Sequence, residues 1–296
     1  MAPLTSTVFD CALAFEGGGY RGAYTAGIAN VLLEHELYFD YVCGISAGAS
    51  HTVDYLSRDQ QRVKDAFMAI DGREPVGGLG TMLRGKGYFN ADYLYEGCLA
   101  DGFSSFDWDT FAANPARMRL QAFERDTGRT VTYGREDAPN VWELIKRVRA
   151  SSTVPGVMPP EPIDGVVYLD GGLGEGAGLP LAMAEHDGFE RIVLVATREP
   201  GYRKKELTGF QRRLIGRVFG KYPKVVEALL TRADRYNQEL DRLAQMERDG
   251  RVLAIRPDTM PVKNSTIDRK RLEQAYELGH AQGERELDRI LDYVGK

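Results

Sequence analysis

Residues Phe39–Gly48 read FDYVCGISAG, an apolar run closing in G-x-S-x-G at Gly44-Ile45-Ser46-Ala47-Gly48. A serine at a sharp strand-to-helix turn holds its hydroxyl in the open, and so tight a turn requires small residues two before and two after it. Phe39–Ile45 reads as a buried strand, and Ala49–Ser57 continues as a helix. The first N–H groups of that helix favour negative charge on the serine oxygen. Ser46 is therefore a candidate nucleophile, with Gly44, Ile45, Ala47 and Gly48 forming its elbow.

Upstream, Cys11–Phe15 (CALAF) is a second short apolar run, and it ends at EGGGYRG, Glu16–Gly22. Gly22–Glu36 carries Ala23, Ala26, Gly27, Val31 and Leu32 at helical spacing. Strand, helix, strand, helix at the start of a chain favours a parallel sheet with helices on both faces. Gly17, Gly19 and Gly22 also fit G-x-G-x-x-G, in which backbone amides hold a dinucleotide's pyrophosphate. That reading needs an acid at the end of the second strand. Asp40 stands at its start, and the end is Gly44–Gly48. No Gly-Lys-Ser/Thr follows the glycines, so a Walker loop fails too. In a parallel sheet the ends of neighbouring strands share one edge, which sets the first loop beside Ser46. Gly17, Gly18, Gly19, Tyr20, Arg21 and Gly22 then read as an oxyanion loop, since glycine lets amides approach closely. Arg21 reads either as added positive charge near that site or as a buttress of the loop through salt bridges, and its place directly before the helix favours the buttress.

Downstream, Glu74–Gly87 reads as a long glycine-rich loop, and Asn90 as the cap of a following helix. Arg117–Phe123 and Arg129–Tyr133 flank Asp126-Thr127-Gly128 as a hairpin. Val141–Ser151 is helical by its period and ends in ASSTVPGVMPP. Val166–Leu169 is a strand running into Asp170-Gly171-Gly172, Leu181–His186 a helix, and Arg191–Ala196 a buried strand. Asp170 is read equally well as a turn aspartate or as a base facing Ser46. A triad would supply a histidine instead. Of His35, His51, His186 and His280, none lies in a glycine-rich loop after a strand.

The chain of 296 residues suffices for a sizeable core, with 43% hydrophobic and 27% charged residues. Its net charge of −5 argues against nucleic acid as partner. Cys11, Cys43 and Cys98 form no CxxC pair, so neither a disulfide framework nor a zinc site is expected. The N-terminus lacks the marks of a signal peptide and no run reaches the length of a membrane span. The expectation is a cytoplasmic protein, with peripheral contact at the inner membrane surface open to it. Past residue 200 the texture changes. Tyr202–Lys224 carries eight basic residues against one acid, Glu206. Leu207, Phe210, Leu214, Ile215, Val218 and Phe219 recur there at helical spacing among Lys204, Lys205, Arg212, Arg213 and Arg217. Such a basic amphipathic segment, 203–224, suits either an anionic membrane surface or packing on the core with a solvated basic face. Lys224–Glu247 and Asp268–Tyr293 read as helices around a strand at Arg251–Arg256. Residues 1–200 are expected to form the catalytic domain, and 201–296 a mainly helical extension packed on it.

GGGYRG, GISAG and DGG in this order, with ASSTVPGVMPP before the third, resemble the patatin-like phospholipases and acyl hydrolases, in the bacterial form with a C-terminal extension. The resemblance covers about residues 10–200. It implies a three-layer α/β/α fold with a mostly parallel central sheet. It also implies a Ser46–Asp170 dyad without histidine, lipid acyl esters as substrates, no cofactor and no metal. The third motif is Asp170-Gly171-Gly172 where other members have DGA, and both permit the tight turn. An aspartate is a weak base, so stabilisation of the oxyanion must carry much of the chemistry. The contrasting expectation is a catalytically silent lipid- or protein-binding module of the same fold.

Overall fold

The computed structural model describes residues 4–68, 70–160 and 162–296. Its first half follows the sequence pattern closely: β1 (Ala12–Phe15), α1 (Gly22–Glu34), β2 (Tyr41–Ile45) and α2 (Ala47–Leu56). Next come α3 (Gln60–Met68), α4 (Leu79–Leu83), α5 (Cys98–Ala100) and α6 (Trp108–Ala113). The hairpin is β3 (Arg117–Glu124) with β4 (Thr130–Tyr133), antiparallel as its glycine turn predicts. Then follow α7 (Val141–Ser152), β5 (Pro162–Ile163), β6 (Val166–Asp170), α8 (Leu181–His186) and β7 (Ile192–Val195). The chain ends with α9 (Gly209–Phe219), α10 (Pro223–Arg248), β8 (Val252–Ile255) and α11 (Arg269–Val294).

The hydrogen-bonded path through the sheet is β5-β6-β3-β2-β1-β7-β8, with β4 on β3. From β3 through β8 the pairs are parallel; β6 and β5 join antiparallel. Because side chains alternate along a strand, the apolar runs serve both faces. Leu13, Phe15, Val42, Val193 and Val195 join residues of α1, α2, α7 and α11 on one side. Ala12, Ala14, Tyr41, Cys43, Ile45 and Leu194 meet α8 and α10 on the other. The result is a three-layer α/β/α fold.

The C-terminal segment enters both layers and the sheet. β8 extends the sheet beyond β7, pairing Val193 with Leu253. α11 lies backbone to backbone on α1: a Cβ at Gly279 would sit 1.9 Å from Tyr24 O, and one at Gly27 2.4 Å from Tyr276 O. Asn30 Nδ2 donates to Tyr276 Oη at 2.8 Å across the same contact.

Two local expectations are corrected. The 74–87 stretch contains α4, and Gly77 bridges to Phe89, so it folds back on itself. Asn90 caps no helix. Its Nδ2 donates to Glu74 Oε2 and to Pro75 O, tying down the base of that stretch, and a π-helical turn over Asp92–Gly97 leads into α5.

Candidate active site

Strand register decides what meets at the sheet's edge. Each residue of a strand can pair on two edges. Leu120 of β3 has Gly44 on one edge and Tyr133 on the other; Ala122 has Val131 and Asp170. Since β4 holds one edge throughout, β2 and β6 share the opposite edge, running tip to tip. β2 ends with Ile45 opposite Gln121, and Asp170 stands opposite the next residue, Ala122. Ser46 leaves β2 at that point. The antiparallel entry of β6, which the apolar pattern does not encode, thus sets Asp170 beside the elbow.

The elbow has the strain its motif implies. Ser46 adopts φ 58° and ψ −122°, a region costly for a side-chain-bearing residue. A Cβ at Gly44 would lie 2.0 Å from Gly48 O, and one at Gly48 2.0 Å from Phe15 O, so both positions demand glycine. The Ser46 N–H donates to Ser151 Oγ at 2.9 Å, which fixes the turn against the end of α7. Ser151 belongs to the ASSTVPGVMPP segment, whose sequence did not reveal this task.

Asp170 is 6% exposed. Its N–H donates to Thr153 O at 2.8 Å and its Oδ1 accepts from Gly172 N–H at 2.8 Å. Gln121 Nε2 donates to Gly171 O and Glu175 O. Two arginines of α10 hold the rest of the loop: Arg232 Nε donates to Gly172 O at 2.7 Å, and Arg235 donates to Leu173 O and Gly174 O at 2.8 and 2.6 Å. No hydrogen bond joins Ser46 Oγ to the Asp170 carboxylate among the described residues. Both line one cavity of about 540 Å³, together with Gly17, Gly18, Gly19, Tyr20 and Arg21.

Within the glycine loop the amides differ. Gly17 N–H donates to Gly178 O, Tyr20 N–H to Asn264 O, Arg21 N–H to Gly18 O, and Gly22 N–H to Gly19 O and Tyr20 O. The N–H groups of Gly18 and Gly19 have no acceptor among the described residues. Gly19 has φ 56°, and a Cβ there would lie 2.6 Å from Asn264 O. A Cβ at Gly17 would lie 3.3 Å from Ser46 Cβ, so this loop abuts the elbow. Gly22, Gly44, Gly48 and Gly171 shape the turns without lining the cavity, whereas Ile45, Ala47 and Gly172 line it. Arg21 forms none of the expected salt bridges among the described residues. It is 8% exposed and its Nε has no partner.

The cavity has two kinds of wall. Tyr88, Phe89, Leu94, Val157 and Met158 give an apolar side; Arg198, Lys204 and Arg232, with Arg21, give a cationic one. No histidine lines it. His51 is fully buried, bonded to Thr25 Oγ1 at 2.7 Å, and burial depresses its pKa to about 3. His186 lies beside Glu175, His35 beside Glu284 and His280 beside Glu34, all off the cavity.

At the rim, the N–H groups of Tyr88 and Phe89 donate to Val157 O, and Phe219 of α9 reaches within 3.2 Å of where a Cβ at Gly156 would stand. α9 has no buried residue. Phe210, Leu214 and Val218 are 74, 48 and 57% exposed. The packed alternative for this segment does not hold for that face; Ile215 and Phe219 alone turn partly inward. No helix among the described residues is long and apolar enough to cross a membrane.

The family model described as Patatin-like phospholipase matches residues 13–183. A second, described as Domain of unknown function (DUF6363), matches residues 222–295. The chain is similar to Uncharacterized protein YjjU of Escherichia coli (strain K12), 27% identical over an alignment of 211 residues that covers 67% of this chain and 55% of that protein. The chain thus spans about half the length of that relative. Among solved structures it is similar to VipD from Legionella pneumophila, with TM-score 0.47 and 13% identity, over 94% of this chain and 66% of that one. With residues 13–183 matched, more than half its length, the chain belongs to the Patatin-like phospholipase family.

Proposed function

We propose that this protein is a serine acyl hydrolase that cleaves lipid acyl esters, with Ser46 as nucleophile and Asp170 as base. The observation that carries the reading is the tip-to-tip meeting of β2 and β6 on β3. Ser46 Oγ attacks the ester carbonyl and its proton passes to Asp170. The developing oxyanion takes the two uncommitted amides, Gly18 and Gly19, as donors. Collapse expels the alcohol, which takes the proton from Asp170, and leaves an acyl-Ser46 ester. Water, deprotonated by the same carboxylate, attacks that ester; the carboxylic acid leaves as Ser46 Oγ takes the proton back from Asp170. No cofactor or metal takes part. The apolar wall receives the acyl chain.

A fluorophosphonate probe tests the nucleophile. The wild type is expected to be labelled and Ser46→Ala is not; an unlabelled wild type of intact fold would favour a silent binding module.

Phe210, Leu214 and Val218 stand exposed on the helix that carries Arg212, Arg213 and Arg217, which supports α9 lying on an anionic lipid surface during turnover. Neutralising the three arginines should abolish pelleting with vesicles containing phosphatidylserine. Unchanged pelleting would remove the membrane contact and leave the hydrolase reading standing.

A further inference from the structure

The glycine loop needs a hold from outside itself. Gly17, Gly18 and Gly19 stand in succession, and glycine leaves the peptide planes between them free to turn at little cost. In a trans peptide the carbonyl of one residue and the N–H of the next point opposite ways across a single plane. The direction of the Gly18 N–H is therefore set by whatever holds Gly17 O. That group is Thr197, the second residue past β7, whose Oγ1 donates to Gly17 O at 3.0 Å. A Cβ at Gly18 would lie 2.7 Å from Thr197 Cγ2, so the methyl of the same side chain rests against the loop. Thr197 is held in turn. Its N–H donates to Glu16 Oε2 at 2.6 Å, and the other oxygen of that carboxylate accepts from the Tyr236 hydroxyl of α10. All three residues are buried.

A carboxylate taken out of water costs free energy unless its oxygens are bonded. Each Glu16 oxygen has such a bond, and hydrogen bonds to an ionised acceptor are the strong kind. Burial first, then Glu16, raise the pKa of the Tyr236 hydroxyl above its ordinary range, so the proton it donates stays in place. Thr197 spends both its donors, the N–H on Glu16 and the hydroxyl on Gly17 O. Gly17 O cannot turn without breaking the second of these. At the far end of the loop Tyr20 N–H donates to Asn264 O. Tyr236 and Asn264 both lie after residue 200, so the C-terminal segment grips the loop at its base and at its far end. Between the two grips the Gly18 N–H keeps no acceptor among the described residues.

We propose that Tyr236, Glu16 and Thr197 form a buried relay that aims the Gly18 amide at the developing oxyanion, which gives the C-terminal segment a part in turnover. That part rests on the hydrolase reading and extends it past residue 196. Each of the three acts through its neighbour, so they are positioning residues. Thr197 makes the last bond of the relay, and its hydroxyl matters most.

Two substitutions at one position isolate the hydroxyl: Thr197→Val removes it and keeps the branched shape, whereas Thr197→Ser keeps it. Thr197→Val is expected to lower kcat on a p-nitrophenyl ester about tenfold or more with KM nearly unchanged, and to slow fluorophosphonate labelling of Ser46 alike. Thr197→Ser should stay close to wild type. Tyr236→Phe should lower kcat by a smaller factor, and the Thr197→Val/Tyr236→Phe double variant should be no slower than Thr197→Val alone, because one relay is broken once. Tyr276→Phe removes a buried hydroxyl from the contact of α1 with α11 and should lower thermal stability while keeping kcat. Wild-type kcat in Thr197→Val, equal losses in the Ser and Val variants, or additive losses in the double variant overturns the relay. Amide exchange read by mass spectrometry needs no turnover: residues 16–22 should exchange about tenfold faster in Thr197→Val, with the rest of the chain at wild-type rates. Faster exchange there in a protein whose wild type cleaves no ester would sink the hydrolase reading and spare the relay as the loop's clamp. An active wild type whose loop exchanges no more slowly than that of Thr197→Val would do the reverse.

Discussion

Residues 13–183 and the segment after residue 196 face the same cavity with different chemistry. The first region carries backbone features: a strained serine, a loop of amides without acceptors, an aspartate set by strand register. The second carries long side chains reaching in from outside: Arg198 after β7, Lys204 from the chain leading to α9, and Arg232 from α10, while Arg235 of α10 holds the loop after Asp170. Reactive geometry has to be rigid to within fractions of an ångström, so it is built from turns and strand ends. Binding charge tolerates a flexible stem, so it arrives on arginine and lysine. The first region alone would therefore keep Arg21 but lack the other three cations of the cavity's cationic wall.

The largest effects should come from the backbone-built half. Ser46→Ala and Asp170→Asn are each expected to lower kcat by on the order of 10⁴-fold or more, as when one member of a catalytic unit is removed. Both variants should keep wild-type unfolding curves. A residual rate in Asp170→Asn within tenfold of wild type would mean that another group takes the proton, and would separate the serine from its assigned partner.

Stability offers the next comparison. Gly48→Ala forces a methyl against Phe15 O, and Gly279→Ala forces one against Tyr24 O, each as close as about 2 Å before relaxation. Each should cost about 1–3 kcal/mol in urea unfolding. Gly48 lies in the elbow and Gly279 on α11, far along the chain. If the chain unfolds as one cooperative body, both substitutions shift the same single transition. Two transitions, with Gly279→Ala moving one alone, would divide the C-terminal segment from the sheet that β8 extends.

How far this could be read beforehand follows the same division. The βαβα opening, the elbow, the glycine loop and the Asp170 turn stand out because their residue types are forced locally: Gly44 and Gly48 by contact, Gly19 by its positive φ. Long helices α10 and α11 declare themselves by period. What stays hidden depends on non-local pairing. That β6 runs antiparallel on the edge β2 vacates leaves no mark in VVYLD. Ser151, Gln121 and Arg235 are ordinary residues in ordinary elements, and their bonds to the elbow and to the Asp170 loop exist only after folding. Arg21 departs from its expected role for a related reason. Beside a helix start it suggests a salt-bridged buttress of the loop, whereas folding buries it near Tyr236 of α10 and Arg198 and Tyr202 of the chain after β7.

Arg235 joins the two regions, and a smaller effect should appear there. Arg235→Met retains a stem to pack but removes the donors to Leu173 O, Gly174 O and Ala228 O. The Asp170 loop loses part of its support, and kcat should fall about tenfold through misplacement of the carboxylate, with KM nearly unchanged. A large rise in KM with kcat intact would make Arg235 a substrate-binding group instead of a positioning residue.

The histidines give the smallest expected effect on turnover, and it separates two kinds of pH dependence. His186→Ala removes an exposed ring beside Glu175 and should leave kcat/KM within twofold of wild type, since no histidine lines the cavity. Loss of turnover in a folded His186→Ala protein would replace the dyad with a triad. His51 acts on stability alone. Burial holds its imidazole neutral in the native state down to about pH 3, whereas in the unfolded chain it protonates near its ordinary value of about 6.5. Below that value the unfolded state binds a proton that the folded state refuses. The contribution of His51 is therefore fully present above about pH 6.5 and is lost as pH falls toward 3, by up to about 1.4 kcal/mol per unit. Urea unfolding of wild type and His51→Gln at pH 7 and pH 5 reads this directly: the wild type should lose more stability between the two. Equal losses would mean that His51 binds its proton alike in both states.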